Sequence, residues 1–351
     1  MNELCEQFSE AIKQAAERRR PVRIRGSGSK DFYGGVPKGE VLDTTRYVGI
    51  VDYAPEELVI TARAGTPLAE IEAALAEKNQ MLPFEPPHFG PRATLGGCVA
   101  SGLSGPRRAY AGSVRDFVLG ARIMDGRGDE LGFGGQVMKN VAGYDVSRLM
   151  VGSLGTLGLI MEVSLKVLPK PAQEVTLQFE MDQAHAIGAM NRWAGEPLPI
   201  SASCFHDHVL TLRLSGAATA VQAAKTKLGG QALAAGDDFW RGIKEQTANF
   251  FRDAATLWRI SLPSTHTLDV PGKQLIEWGG ALHWVFTEAE APTVRAAAAQ
   301  AGGHATLFRS AKKVGTVFHP LPKPMLELHK RVKRTFDPSG IFNPGRMYSD
   351  F

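Results

Sequence analysis

Three cysteines in 351 residues, Cys5, Cys98 and Cys204, are too few and too far apart for cysteine chemistry to organise this chain. They form no CxxC pair, which excludes a local zinc site and a self-contained iron–sulfur cluster. An odd number without framework spacing points to a reducing compartment rather than to a disulfide-stapled secreted domain. Long apolar runs are lacking too. No stretch approaches the roughly 20 apolar residues that span a bilayer. The opening MNELCEQFSEAIKQAAERRR is charged throughout and has no apolar core, so it does not read as a secretory signal. A cytoplasmic location is expected, with any membrane association, at the inner face, made through partner subunits. Charge of one sign is also scarce. Lys+Arg number 40 against 36 Asp+Glu, a net of +4 spread along the chain, and no nucleic-acid partner is expected. The densest basic run, Arg18–Arg20, followed by Arg23 and Arg25, reads as the solvated end of a helix.

What is abundant is glycine, in one place. Between Ala93 and Ile160 there are 15 glycines in 68 residues, out of 38 in the whole chain. They lie in short clusters beside apolar, strand-like runs. Glycine lets backbone approach whatever lies opposite, and clustered glycines beside Ser and Thr turn several N–H groups into one concavity suited to an anion. The stretch reads as a wall for a large phosphorylated ligand; a set of tight turns is the alternative. The remaining composition, 44% hydrophobic and 22% charged, is that of a globular protein with length for two domains.

Taken in order, Glu3 to Arg19 spaces Leu4, Phe8 and Ile12 as an amphipathic helix ended by Pro21. Val22 to Arg25 alternates as a strand and runs directly into Gly26-Ser27-Gly28-Ser29, a candidate phosphate loop. It is not a GxGxxG that opens a helix, which disfavours a Rossmann site. Short strands follow at 41–43, 48–53 and 58–64. A helix then runs to Lys78, with Thr66 expected as N-cap and Pro67 at its first position. Residues 81–91 are a proline-rich connection holding His88, which reads as a turn histidine. Phe117 to Met124 and Leu159 to Leu168 read as strands. The glycine-rich stretch also holds a polar cluster of Arg107, Arg108, Arg115, Asp116, Lys139, Asn140, Tyr144 and Asp145, in which Arg115 and Asp116 could form an ion pair. Pro169-Lys170-Pro171 marks the expected boundary. It divides a domain at 1–170 from an α+β domain at 171–319 with paired strands and helices in a ferredoxin-like arrangement. Within the second domain His206 and His208 would share one face of a strand with Leu210, Leu212 and Leu214, which favours packing over a metal; no metal site is expected. Residues 320–351 form a basic amphipathic helix and a Pro- and Gly-rich ending that should dock back.

Five motifs in a fixed order carry a resemblance: Arg25 to Ser29, ATLGG at 93–97, YAGSVRDFVLG at 110–120, VGSLGTLG at 151–158 and FDPSGIFNPGR at 336–346. Together they resemble the vanillyl-alcohol-oxidase, or PCMH-type, FAD-binding flavoproteins. The run GGQVMKNVAGYDVSRLMVGSLGTLG from Gly134 is similar to FAD-binding subunits of bacterial glycolate oxidase. The resemblance implies an α+β fold: a two-subdomain FAD-binding domain, an α+β cap domain and a last segment returning to the flavin domain. It implies that Gly26, Ser27, Gly28 and Ser29 cradle the pyrophosphate and that Leu95, Gly96, Gly97 and Gly102 run along the ligand. Gly112, Val114, Arg115 and Asp116 would line its middle. Gly152, Ser153, Gly155, Thr156, Gly158 and Ile160 would close over the adenosine half, and Asn343 would lie near the ring.

The departures from the family are informative. FAD-linked 2-hydroxy-acid dehydrogenases of this kind carry a GHxGDGNxH-type metal motif and a later GExxxEHG-like run in the cap. Here the corresponding strand is CFHDHVLTLRL at 204–214, without those glycines. No histidine lies in the GSGS loop, where some relatives attach flavin, so FAD is expected to be noncovalent. The resemblance implies a flavin subunit of a glycolate oxidase that works beside a sister flavoprotein and an iron–sulfur subunit, acting on a small 2-hydroxy acid. The alternatives are a self-sufficient dehydrogenase, with His206, His208 or Arg213 contacting substrate, and a non-catalytic scaffold.

Overall fold

Val59–Arg63, Val118–Met124 and Leu159–Lys166 are buried along nearly their whole length, as strands in the middle of a sheet must be. The computed structural model, which describes residues 2–135, 145–252, 256–311 and 315–349, places them there. They form the centre of a five-stranded antiparallel sheet in the order Ile50–Ala54, Val59–Arg63, Leu159–Lys166, Val118–Met124, Glu130–Gly134. Helix Leu68–Glu77 lays Leu68, Ile71 and Leu75 onto one face of it. Its N-cap is Pro67 rather than the expected Thr66. The Thr66 hydroxyl instead accepts from Gly49 N at 2.9 Å, tying the helix start to the preceding turn. A smaller unit stands beside this sheet. Val22–Arg25 pairs in parallel with Glu40–Asp43, and helix Asn2–Glu17 covers the pair through Phe8 and Ile12.

The second half is one eight-stranded antiparallel sheet built from a motif used twice. Gln173–Glu180, Ile200–His206, Val209–Gly216 and Gln231–Ala232 adopt the spatial order 4-1-3-2, with helices Gln183–Ala194 and Ala218–Leu228 as crossovers. This is the ferredoxin-like arrangement. Leu257–Ser261, Lys273–Glu277, Leu282–Phe286 and His304–Arg309 repeat it in the order 2-3-1-4, with helix Ala291–Gln300 before the last strand. The two units meet where Cys204 and Phe205 pair with Glu277 and Ile276. Helices cover one face. The other face presents Cys204, Trp284, Phe286 and Phe308 to Tyr33, Leu103 and Leu154 of the first half.

Two expectations change in this half. His206 and His208 do not share a strand. Asp207 (φ +50°) and His208 (φ +61°) form the two-residue turn between Ile200–His206 and Val209–Gly216, the left-handed pair that a tight hairpin requires. His206 Nδ1 instead donates to Gln274 O (3.0 Å), and the ring packs edge-on to Phe250. The strand Lys273–Glu277, whose VPGKQLIE sequence lacks clear alternation, was not anticipated.

Helix Lys323–Phe336 returns to the first half and is pinned by one buried lysine. Lys333 Nζ donates to Thr156 O (2.7 Å), Phe342 O (2.8 Å) and the Asp337 carboxylate (2.7 Å). Asp337 also accepts from Ile341 N and Phe342 N. The chain end therefore carries its own buried counter-charge to the 151–158 loop.

Candidate functional site

The Val22–Arg25 strand delivers its last residue to the Gly26–Ser29 loop, and the loop is one wall of a cleft of about 580 Å³ open to solvent. Opposite it lie Gly97, Ala100 and Ser101 of helix Leu95–Ser101, whose N-cap Thr94 accepts from Gly97 N (3.3 Å). A second compartment of about 390 Å³ adjoins the first through Gly26, Gly97, Leu154 and Asn343. It is lined by Thr44, Ala64, Gly96, Gly155, Gly158 and Ile160 and contains no charged side chain.

Of the residues the resemblance assigned, Gly26, Ser27, Gly28, Ser29, Gly96, Gly97, Gly155, Gly158, Ile160 and Asn343 line these two compartments. The others lie apart from their lining. Leu95 and Val114 are fully buried in the core of the five-stranded sheet. Gly102 is the left-handed C-cap of the helix, against Gly152. Thr156 donates to Ser153 O (2.7 Å) inside the 151–158 loop, and Ser153 Oγ is buried without a partner among the described residues. Gly112, Arg115 and Asp116 lie at the 113–117 turn. There Asp116 accepts from the Ser113 N–H and hydroxyl in a capping box, which takes the place of the expected pair with Arg115. Lys139, Asn140 and Tyr144 lie outside the described residues.

Asn343, which lines both compartments, also braces them. Its Nδ2 donates to Leu154 O (2.6 Å) and its Oδ1 accepts from Ile24 N (2.9 Å), so both ends of the amide hold cleft walls together. Gly155 (φ +70°) faces it, and a Cβ there would lie 2.6 Å from Asn343 Nδ2. The protein itself requires glycine at this point. Gly97 differs: a Cβ there would meet the Thr94 hydroxyl at 3.1 Å and nothing else within 4 Å, so that position opens into the cleft.

The residues that sequence reasoning passed over are the charged ones. Arg23 and Arg25 both engage Asp31. Arg346 donates to the carbonyls of Asp31 and Gly35 and is drawn below its usual pKa by burial. Lys30 points its ammonium to His88 O (3.2 Å). All five line the first compartment, and four cations against one carboxylate leave three positive charges. The signal was present, since Arg23 and Arg25 alternate in VRIR and Lys30 directly follows GSGS, but only the tertiary fold brings Arg346 to them. Cys98 lies nearby, but burial pushes its thiol up to about 12, which removes it as a nucleophile.

Where the two halves meet, aromatic rings fill the space. Phe32 stacks edge-on to Phe89 and Phe308 (both 5.4 Å between centroids), and Phe308 to Trp284 (4.7 Å). Beyond them Arg259 and Glu277 line a pocket of about 330 Å³ with Ser104 and Gly105. Burial raises the Glu277 carboxyl to about 7, although Trp284 Nε1 donates to it at 2.7 Å. Arg213 lies elsewhere in the seam, in a buried network with Glu85, Arg107 and Glu174. Burial pushes Glu85 up, but Arg213 and Arg107 outweigh it and hold the carboxyl below its ordinary value. No group of three His, Cys, Asp or Glu residues that could hold a metal occurs among the described residues.

Comparison with known proteins agrees with this layout. Residues 5–134 match the FAD binding domain family and residues 313–347 match the C-terminal domain of FAD linked oxidases. The glycolate oxidase subunit GlcE of Escherichia coli (strain K12) is 52% identical over 342 residues, 97% of this chain and 96% of that protein. The chain belongs to the GlcE family of glycolate oxidase subunits. Glycolate oxidase subunit GlcD of Bacillus subtilis (strain 168) is 33% identical over 174 residues, 49% of this chain and 37% of that protein. In fold, alkyldihydroxyacetonephosphate synthase superposes with a TM-score of 0.68 at 16% identity, covering 97% of this chain and 75% of that one. The α+β, PCMH-type architecture expected from the sequence is thus the one found, and the protein is an FAD-linked oxidoreductase subunit. The cleft suits FAD by its own chemistry: a surplus of cations beside backbone N–H groups for the pyrophosphate, an uncharged compartment for adenosine, and a glycine at 97 where a side chain would intrude.

Proposed function

We propose that this chain holds FAD noncovalently in the Gly26–Ser29 cleft as one flavoprotein of a glycolate oxidase (glycolate dehydrogenase) complex. In that complex a sister flavoprotein oxidises glycolate to glyoxylate and an iron–sulfur subunit carries the electrons onward. The observation that carries the reading is the cleft itself, whose three surplus positive charges adjoin an uncharged compartment. The division of labour is supported by the seam between the halves. Aromatic rings occupy it, and His206 and Arg213 are engaged in protein contacts rather than directed at the cleft. When bound, FAD supplies two-electron redox chemistry; the chain's own residues bind it, orient it and exclude water. Any attachment to a membrane would be made through partners, since no helix among the described residues is long and apolar enough to cross one.

A second reading, oxidation of a small 2-hydroxy acid by this chain alone, is favoured by the pocket that combines Arg259 with the near-neutral Glu277. Expressing the chain alone and together with its two partner subunits separates them. The visible spectrum and glycolate-dependent dye reduction are recorded for each. Flavin without turnover alone, and turnover on co-expression, support the proposal. Turnover by the isolated chain supports the second reading. A colourless chain overturns both.

A further inference from the structure

The cleft carries more positive charge than a pyrophosphate neutralises. Four cations against Asp31 leave three charges, and the pyrophosphate brings two negative ones. The remaining charge has a location. Arg23 and Arg25 share Asp31, and Arg346 is held by two backbone carbonyls. Lys30 has no carboxylate within ion-pair distance among the described residues. Its ammonium is bonded to His88 O and stands 5.7 Å from the centre of the Phe89 ring. Glu245, the acid that acts on it electrostatically, is already engaged by His88 N, Phe89 N and Lys244. Burial draws the Lys30 pKa down, so the charge stands in a weakly solvated place where its field is strong.

Direction follows from the two compartments. The one beyond Gly155 and Ile160 is uncharged and suits a nucleoside. A dinucleotide with its pyrophosphate on Gly26–Ser29 and its nucleoside beyond Gly155 leaves its other end on the Lys30 side of the first compartment. Resting on the FAD assignment above, we infer that Lys30 faces the flavin ring and stabilises the negative charge it gains on reduction, so that this chain's flavin is tuned to accept electrons. Reduction of the ring by two electrons and one proton leaves one net negative charge. The electrons come from oxidation of the 2-hydroxy acid in the complex, and the second proton of that oxidation leaves to solvent.

The test uses the flavin-loaded chain with Lys30→Met and Lys30→Arg. Two quantities are measured: the dissociation constant for oxidised FAD after reconstitution of stripped protein, and the midpoint potential by spectroelectrochemistry. Lys30→Met should bind oxidised FAD within about threefold of the parent, and its loss of affinity for reduced FAD should exceed its loss for oxidised FAD by at least about tenfold, a potential lower by about 30 mV or more for a two-electron couple. Lys30→Arg should keep the parent potential. Equal weakening of both redox forms, with the potential unchanged, would make Lys30 a phosphate counter-ion and overturn the inference. A potential in Lys30→Arg as low as in Lys30→Met would also overturn it, by assigning the effect to packing. If the parent chain takes up no FAD, the cofactor assignment itself fails, an outcome distinct from the other two.

Discussion

Replacing Lys333 with methionine tests how the chain end supports the cleft. The side chain is 5% exposed and its partner Asp337 is fully buried. Methionine keeps the bulk of the stem but removes the charge and three hydrogen bonds, leaving the Thr156 and Phe342 carbonyls without their donor. Removing one partner of a buried ion pair costs about 3–5 kcal/mol, because the other charge stays behind in a poorly solvated place. Asp337 would still accept from Ile341 N and Phe342 N, so the lower part of that range, about 3 kcal/mol, is expected. Thr156 and Phe342 flank cleft residues Gly155 and Asn343, so flavin retention should fall with stability. The assay is urea unfolding of parent, Lys333→Met, Asp337→Asn and the double variant, read as a shift in midpoint at constant slope. The double variant, with no uncompensated charge, should be more stable than the sum of the single losses predicts. If Lys333→Met costs less than about 1 kcal/mol, in the range of an exposed pair, the terminal helix is held by its apolar face and not by this lysine.

Three further outcomes are expected. Gly97→Val adds a side chain that faces the cleft and meets only the Thr94 hydroxyl, so it should weaken FAD by about 1–3 kcal/mol, roughly fivefold to a hundredfold or more, while folding loses about 1 kcal/mol at most. Gly195→Val, in the cap and near only Arg192 O, should leave the flavin-to-protein absorbance ratio unchanged; equal ratios in both variants would remove the ligand from the 94–101 helix. Glu277 has a folded pKa raised to about 7, so its contribution to stability is complete below the ordinary value of 4.5 and declines as pH rises toward 7. Glu277→Gln should therefore abolish that slope and be more stable than the parent at pH 8, by about 3 kcal/mol at most; parallel pH profiles for the two proteins would contradict it. Acid precipitation should leave the yellow colour in the supernatant, and colour retained in the pellet would show a covalent link that the histidine-free Gly26–Ser29 loop does not provide.

The sequence by itself determined the local devices: where glycine was needed, where strands ended in loops, and the five motifs in family order. It also determined that the second half is α+β with a ferredoxin-like motif, because apolar spacing and helix length are local properties, but not that the motif is used twice in one eight-stranded sheet. What it could not determine was which polar groups meet. The motif placed Asn343 at the cofactor site, but nothing local showed that its amide bonds to Ile24 and Leu154, partners more than 180 residues away in the chain. His206 and His208 read as one strand face until a two-residue turn divided them. Arg23, Arg25, Lys30 and Arg346 form one cationic cleft only because Phe342 bridges to Val22 and carries the chain end back to its start. Hydrophobic periodicity is written residue by residue, but the field in a cleft is a sum over charges from distant segments, and only tertiary structure sets the distances in that sum.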